Sequence, residues 1–104
     1  YNTGSDARIK TDVTTISGAL TKINQMRGVS FKRLDNGGKV GVGLIAQELE
    51  PIVPELVKTT AITTILDDGT EVENTKAINY SQLTAFLIEA IKELKAEIDE
   101  LKSA

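Results

Sequence analysis

Towards the carboxyl end of the chain, Leu87, Ile91, Leu94, Ile98 and Leu101 recur in alternating steps of four and three residues. A mean step of about 3.5 residues is the repeat of helices that pack along a shared seam. From Ser81 onward the residues are strong helix formers without Gly or Pro, and Asn79 followed by Gln82 resembles a capping box. The pattern predicts one long amphipathic helix over 80–104. Ile91 and Ile98 take the a positions, and Leu87, Leu94 and Leu101 the d positions. Lys92, Glu93, Lys95, Glu97, Asp99, Glu100 and Lys102 occupy the other faces. Two readings follow: the stripe packs on the chain's own body, or it is a self-association seam. Little chain remains for the tail beyond Glu93 to pack against, which favours the seam. Ile at a with Leu at d suits parallel dimers in isolated coiled coils, so the pattern alone does not specify three strands.

Upstream, the apolar runs are shorter. Val13-Thr14-Thr15-Ile16 is β-branched and unfavourable for helix, whereas Ser17 is a good N-cap for a short helix over about 18–26. Leu20, Ile23 and either Met26 or Ala19 would form its inner stripe. Val29 to Leu34 alternates, and Asp35-Asn36-Gly37-Gly38 marks a hairpin returning through 39–44. Ile45 to Glu50 reads as a short helix ended by Pro51, and Pro54 is expected to keep the next segment extended. Asp67-Asp68-Gly69 lies between β-branched runs and predicts a second hairpin, its acidic tip projecting into solvent. The fold class is therefore α+β: small β-hairpins and short helices followed by a long carboxyl-terminal helix.

Composition narrows the chemistry. The 104 residues fit one domain; 40% are hydrophobic and 26% charged, a globular balance. Phe31, Phe86, Tyr1 and Tyr80 are the aromatic residues, so the core should be aliphatic and thin. A net charge of −3 and a pI near 4.9 argue against a nucleic-acid partner. Without Cys or His, disulfides, thiolate nucleophiles, most zinc sites and any His-based triad are excluded, leaving Ser, Thr, Lys, Asp or Glu for catalysis. No stretch approaches the roughly 18 apolar residues that span a bilayer, and Tyr1–Lys10 lacks a signal-peptide layout, so no membrane partner is expected. Opening on Tyr1-Asn2-Thr3-Gly4 without an initiator Met, the chain is expected to be part of a longer polypeptide.

Several motifs carry less than they suggest. Gly41-Val42-Gly43-Leu44-Ile45-Ala46 matches a dinucleotide-binding fingerprint, but Pro51 cuts the following helix too short for a βαβ unit, so these glycines serve close packing or a bulge. No cofactor is expected. Asp67, Asp68, Glu71 and Glu73 lack calcium-loop spacing, and no metal site is expected. Asn79-Tyr80-Ser81 is formally a glycosylation sequon with nothing to indicate secretion.

Ser5-Asp6-Ala7-Arg8-Ile9-Lys10 reads by composition as a polar lead-in. It also offers a nucleophile and a base. A Ser hydroxyl needs a base beside it, and without His that base is a lysine whose neutral form is favoured by desolvation or a nearby cation, here Arg8. Residues five apart on a regular helix point about 140° apart. Ser5 and Lys10 can therefore meet only through a turn, an extended segment or a neighbouring subunit.

These residues together resemble the intramolecular chaperone (peptidase S74) family, found at the carboxyl ends of phage endosialidases, tail fibres, tailspikes and neck appendages. The resemblance rests on Ser5-Asp6, Arg8-Ile9-Lys10, Ala19-Leu20 and Gly28-Val29-Ser30-Phe31. It continues through Gly43-Leu44-Ile45-Ala46-Gln47-Glu48-Leu49, Pro54-Glu55-Leu56-Val57, Asn79-Tyr80-Ser81-Gln82-Leu83 and Ala90-Ile91-Lys92-Glu93-Leu94. It implies a homotrimer in which the final helix joins a trimeric, coiled-coil-like bundle, and which guides folding of an upstream fibre of the same polypeptide. It further implies self-cleavage at Gly4-Ser5, with Ser5 as nucleophile and Lys10 as general base. Asp6, Arg8, Gln47 and Glu48 are candidates for supporting that pair. The implied organisation is a linker over 1–4 and a chaperone domain over 5–104, divided into a body to 79 and an oligomerisation helix from 80. The implied setting is the host cytoplasm during phage assembly, with the domain attached to the virion fibre until the cut.

Three alternatives are a trimerisation module in which Ser5 is idle, a eukaryotic relative of the kind found in membrane-tethered transcription factors that self-cleave as trimers, and an adhesin tip using Tyr1 and the 67–69 turn.

Overall fold

The β-branched stretch before Gly18 stays non-helical, and helix α1 (Ala19–Gln25) begins only after Gly18 takes the left-handed conformation, φ 69°. This is a computed structural model, describing residues 4–104; of the expected linker, Tyr1, Asn2 and Thr3 lie outside the described residues, as does the Tyr1 side chain invoked for an adhesin tip. Ser17 does not cap α1: the N-cap residue is Gly18, with no side-chain bond of its own. Ala19 is fully buried, and Leu20, Ile23 and Met26 pack beside it, the inner stripe that the spacing predicts.

Strands β1 (Val29–Lys32) and β2 (Val40–Gly43) pair antiparallel, Val29 opposite Gly43 and Lys32 opposite Val40. Their turn uses Gly37 and Gly38 at φ 59° and 76°, a region that costs glycine little. Helix α2 (Ala46–Leu49) ends before Pro51 as expected, although the amides of Ile52 and Val53 still donate to the Leu49 carbonyl. Pro54 does not hold an extended segment. It opens a 3₁₀ turn over Pro54–Leu56, where its fixed φ and missing donor suit a first helical position.

Strands β3 (Val57–Thr59) and β6 (Lys76–Ile78) pair antiparallel, and so do β4 (Thr64–Ile65) and β5 (Glu71–Val72). Between them the Thr60 amide donates to the Thr75 carbonyl and the Thr75 amide to the Ile62 carbonyl. The stretch 57–78 is thus one long antiparallel arm, and the predicted second hairpin is its end. That tip is exposed, as expected, and is also anchored. The Asp67 amide donates to the Leu34 carbonyl and its carboxylate accepts from the Gly37 amide, both at 2.8 Å, so the tips of the two arms dock on each other.

Helix α3 (Tyr80–Ser103) closes the chain. Asn79 caps it by accepting from the Gln82 amide, but the reciprocal half of a capping box is absent because the Asn79 amide donates to Leu56. The core consists of Ala19, Leu49, Val53, Leu56, Leu83, Phe86 and Ala90, aliphatic apart from Phe86. All of its α3 members fall in the first half of the helix. Beyond Glu93 every residue of the helix is exposed, and the molecule measures 59 Å along its longest axis. Among the described residues, no helix is long and apolar enough to cross a membrane.

Candidate functional site

Ser5 and Lys10 meet within one chain. Asp6 has an extended backbone (φ −68°, ψ 134°) and caps a single 3₁₀ turn over Ala7–Ile9. The Ile9 amide donates to the Asp6 carbonyl and the Lys10 amide to the Ala7 carbonyl, reversing the chain. Lys10 then returns to extended backbone, and its Nζ lies 2.7 Å from Ser5 Oγ. The 140° separation of a regular helix does not apply, because the backbone is extended at Asp6 and again at Lys10, on either side of a single turn. At Gly4, on the other side of the Gly4-Ser5 bond, an added Cβ would sit 3.3 Å from Ile9 Cδ1, so glycine eases a close approach.

Asp6 and Arg8 form a closed clasp. Asp6 Oδ1 accepts from the Arg8 amide at 2.8 Å, while the guanidinium meets Oδ1 and Oδ2 at 3.1 and 2.8 Å. The Arg8 side-chain hydrogen bonds, reinforced by its backbone amide, hold the Asp6 carboxyl below the usual carboxylate range, and Asp6 raises Arg8 in turn. Arg8 is thus paired with Asp6 and not left as a free cation. The whole stretch 4–15 is exposed, including Ile9 and Val13.

Gln47 and Glu48 make no hydrogen bond to this pair. Glu48 takes both nitrogens of a fork from Arg27, at 3.0 and 2.6 Å, which pulls its carboxyl below the ordinary range and ties α2 to the loop after α1. Gln47 lies between the two β arms, near Phe31, Thr64 and Lys76. The glycines of the rejected dinucleotide pattern serve packing: a Cβ at Gly41 would stand 2.8 Å from the Phe31 ring, and one at Gly43 2.7 Å from the Tyr80 hydroxyl. That hydroxyl accepts from the Leu44 amide at 3.0 Å, joining α3 to the chain after β2.

The five residues of the heptad stripe lie on a face the body does not use. Leu87, Ile91, Leu94, Ile98 and Leu101 are between 42% and 77% exposed, whereas Leu83, Phe86 and Ala90 fill the core from a stripe centred roughly 65° around the helix. The reading in which the heptad stripe packs on the chain's own body therefore fails. Glu93 extends the inner stripe, and its Oε2 and Oε1 accept from the Ala19 and Leu20 amides at 3.0 and 3.4 Å. It caps α1 from 74 residues away, and no local signal in the sequence marks it.

Residues 5–58 match the family described as "Chaperone of endosialidase" (Peptidase_S74). The chain is 34% identical over 108 residues to a long tail fiber protein Gp37 of Salmonella phage S16, an alignment covering 97% of the chain and 13% of that protein. Against the Gp37 protein of Enterobacteria phage K3 the identity is 28%, covering 95% of the chain and 8% of the relative. A myelin gene regulatory factor-like A protein of Dictyostelium discoideum is 32% identical over 94% of the chain and 12% of its own length. The chain thus spans a small fraction of these relatives. It belongs to the chaperone-of-endosialidase family.

Proposed function

We propose that this family member is the intramolecular chaperone of a phage fibre: three copies associate through α3, hold upstream fibre segments in register, and are then released by a cut at Gly4-Ser5. Assembly is supported by the division of α3 into a stripe that fills the core and a heptad stripe left open along the same helix. Three tethered chains raise one another's effective concentration, which matters for slow, non-local β pairing. Removing the chaperone afterwards gives the fibre kinetic stability. Assembly would take place in the host cytoplasm, with the domain remaining on the virion fibre until the cut.

The cleavage rests on one observation, the 2.7 Å contact between Lys10 Nζ and Ser5 Oγ. With its amine neutral, Lys10 takes the Ser5 hydroxyl proton as Oγ attacks the Gly4 carbonyl carbon. The Gly4–Ser5 C–N bond then breaks and the Ser5 nitrogen leaves with that proton, giving an ester between the Gly4 acyl group and Ser5 Oγ. Water hydrolyses the ester to a Gly4 carboxylate and restores the Ser5 hydroxyl beneath a new amino terminus. The site is exposed in the single chain, and a general-base amine works best desolvated, so a covering surface would complete it. Neighbouring copies and the folded fibre would provide one, and the cut would then report assembly.

The fibre-linked chain tests both parts. On a denaturing gel the wild type gives a fragment beginning at Ser5, while Ser5→Ala and Lys10→Ala stay full length; a cut that persists in Ser5→Ala defeats the dyad. If all three stay intact yet sediment as trimers, the domain is a non-cleaving trimerisation module.

A further inference from the structure

We propose that Asp6 is the positioning residue of this site, the group that folds Lys10 back onto Ser5; the inference rests on the Ser5/Lys10 reading. Among the described residues, every hydrogen bond of residues 5–10 is made within that stretch. Nothing in the body therefore imposes the turn. Its one side-chain cap is Asp6, whose Oδ1 takes the Arg8 amide that a 3₁₀ turn leaves without a carbonyl partner. The same carboxylate receives the Arg8 guanidinium in fork geometry, which narrows the rotamers of both side chains.

The geometry also separates two tasks. Both Asp6 carboxylate oxygens are taken by Arg8, and neither makes a hydrogen bond to Ser5 or Lys10. Asp6 does not touch the hydroxyl or the amine. It acts on the reaction by populating the conformation in which Nζ reaches Oγ, and the amide contact at Oδ1 matters more than the negative charge.

The test is the cleavage rate of the full fibre-linked chain as a function of pH. An N-cap is worth about 0.5–2 kcal/mol, a factor of roughly two to thirty in the turn population. Asp6→Ala should cut about tenfold more slowly, with the pH profile keeping its shape and the body's melting temperature unchanged. Asp6→Asn keeps an amide-accepting oxygen and should restore the rate to within about threefold of wild type. Arg8→Ala should lose less than Asp6→Ala. Wild-type rate in Asp6→Ala, an Asp6→Asn chain as slow as Asp6→Ala, or a pH profile displaced along the axis would each overturn the positioning role while leaving the dyad intact. A cut that survives Ser5→Ala, or a wild type that is never cut, overturns the dyad reading and this one with it.

Discussion

The amino-terminal turn and the α1–α3 junction are built by opposite means. The turn over 5–10 is exposed and held by hydrogen bonds that span at most five residues. The junction is partly buried, and its cap runs from Glu93 to amides 73 and 74 residues away. In the proposed function, a single cut at the surface can rest on a cheap local structure that a later surface completes, and α3 would serve as the platform for other chains. The junction behind it stands on its own. It draws its stability from burial, and Lys22 adds its ammonium 5.5 Å from the centre of the Phe86 ring.

The contrast breaks most visibly in the core. Phe86→Ala removes the only aromatic side chain among the core residues and should cost about 3–5 kcal/mol, read as a shift in the urea midpoint; a loss below about 1 kcal/mol would mean that α3 is not anchored there. Measured at a dilution where the wild type is monomeric, Leu94→Asp should leave that midpoint almost unchanged, because Leu94 is 45% exposed in the single chain, yet abolish the oligomer in sedimentation at concentrations where the wild type assembles. An unchanged oligomer would place the seam elsewhere. Glu93→Ala should cost about 1–2 kcal/mol by exposing two helix amides to a partly buried site with no acceptor. A cost near zero would show that Gly18 terminates α1 without help.

The smallest effect belongs to the turn. Asp6 has a carboxyl held below its ordinary range by Arg8, so its contribution is complete above the unfolded carboxylate value near 4 and is lost only as pH falls through the lowered folded value. Acidifying from pH 7 to pH 5 should therefore leave the turn intact. The carbon shift of the Asp6 carboxyl, followed by NMR, checks this: a midpoint at or above the ordinary value would mean that the clasp does not persist in solution.

What could be read in advance divides along the same line. Periodicity and turn chemistry are local, so both hairpins, the limits of α1 and α2 and the long helix were legible, as was the choice of packing over phosphate binding for Gly41 and Gly43. The Ser5–Lys10 contact was conditionally legible, because a spacing of five excludes a helix but does not pick the turn. Non-local facts were not legible. Ser17 looks like a cap because it precedes a helix former, and only the fold reveals that Glu93 takes the task. The tip of the second arm is exposed, as its acidic residues suggest, but no local signal shows that Asp67 takes the Gly37 amide of another hairpin. Proline suits both extended chain and the first position of a turn, so the residue type alone does not choose between them at Pro54.

The central claim is that a cheap, exposed dyad is made competent by assembly. The most direct measurement is the rate at which the fragment beginning at Ser5 appears as the fibre-linked chain is diluted, compared with the trimer fraction from sedimentation on the same samples. The account predicts that cleavage follows the trimer fraction and vanishes with it in Leu94→Asp. A rate that stays constant on dilution into monomer, or a Leu94→Asp chain that cuts at the wild-type rate, would contradict it.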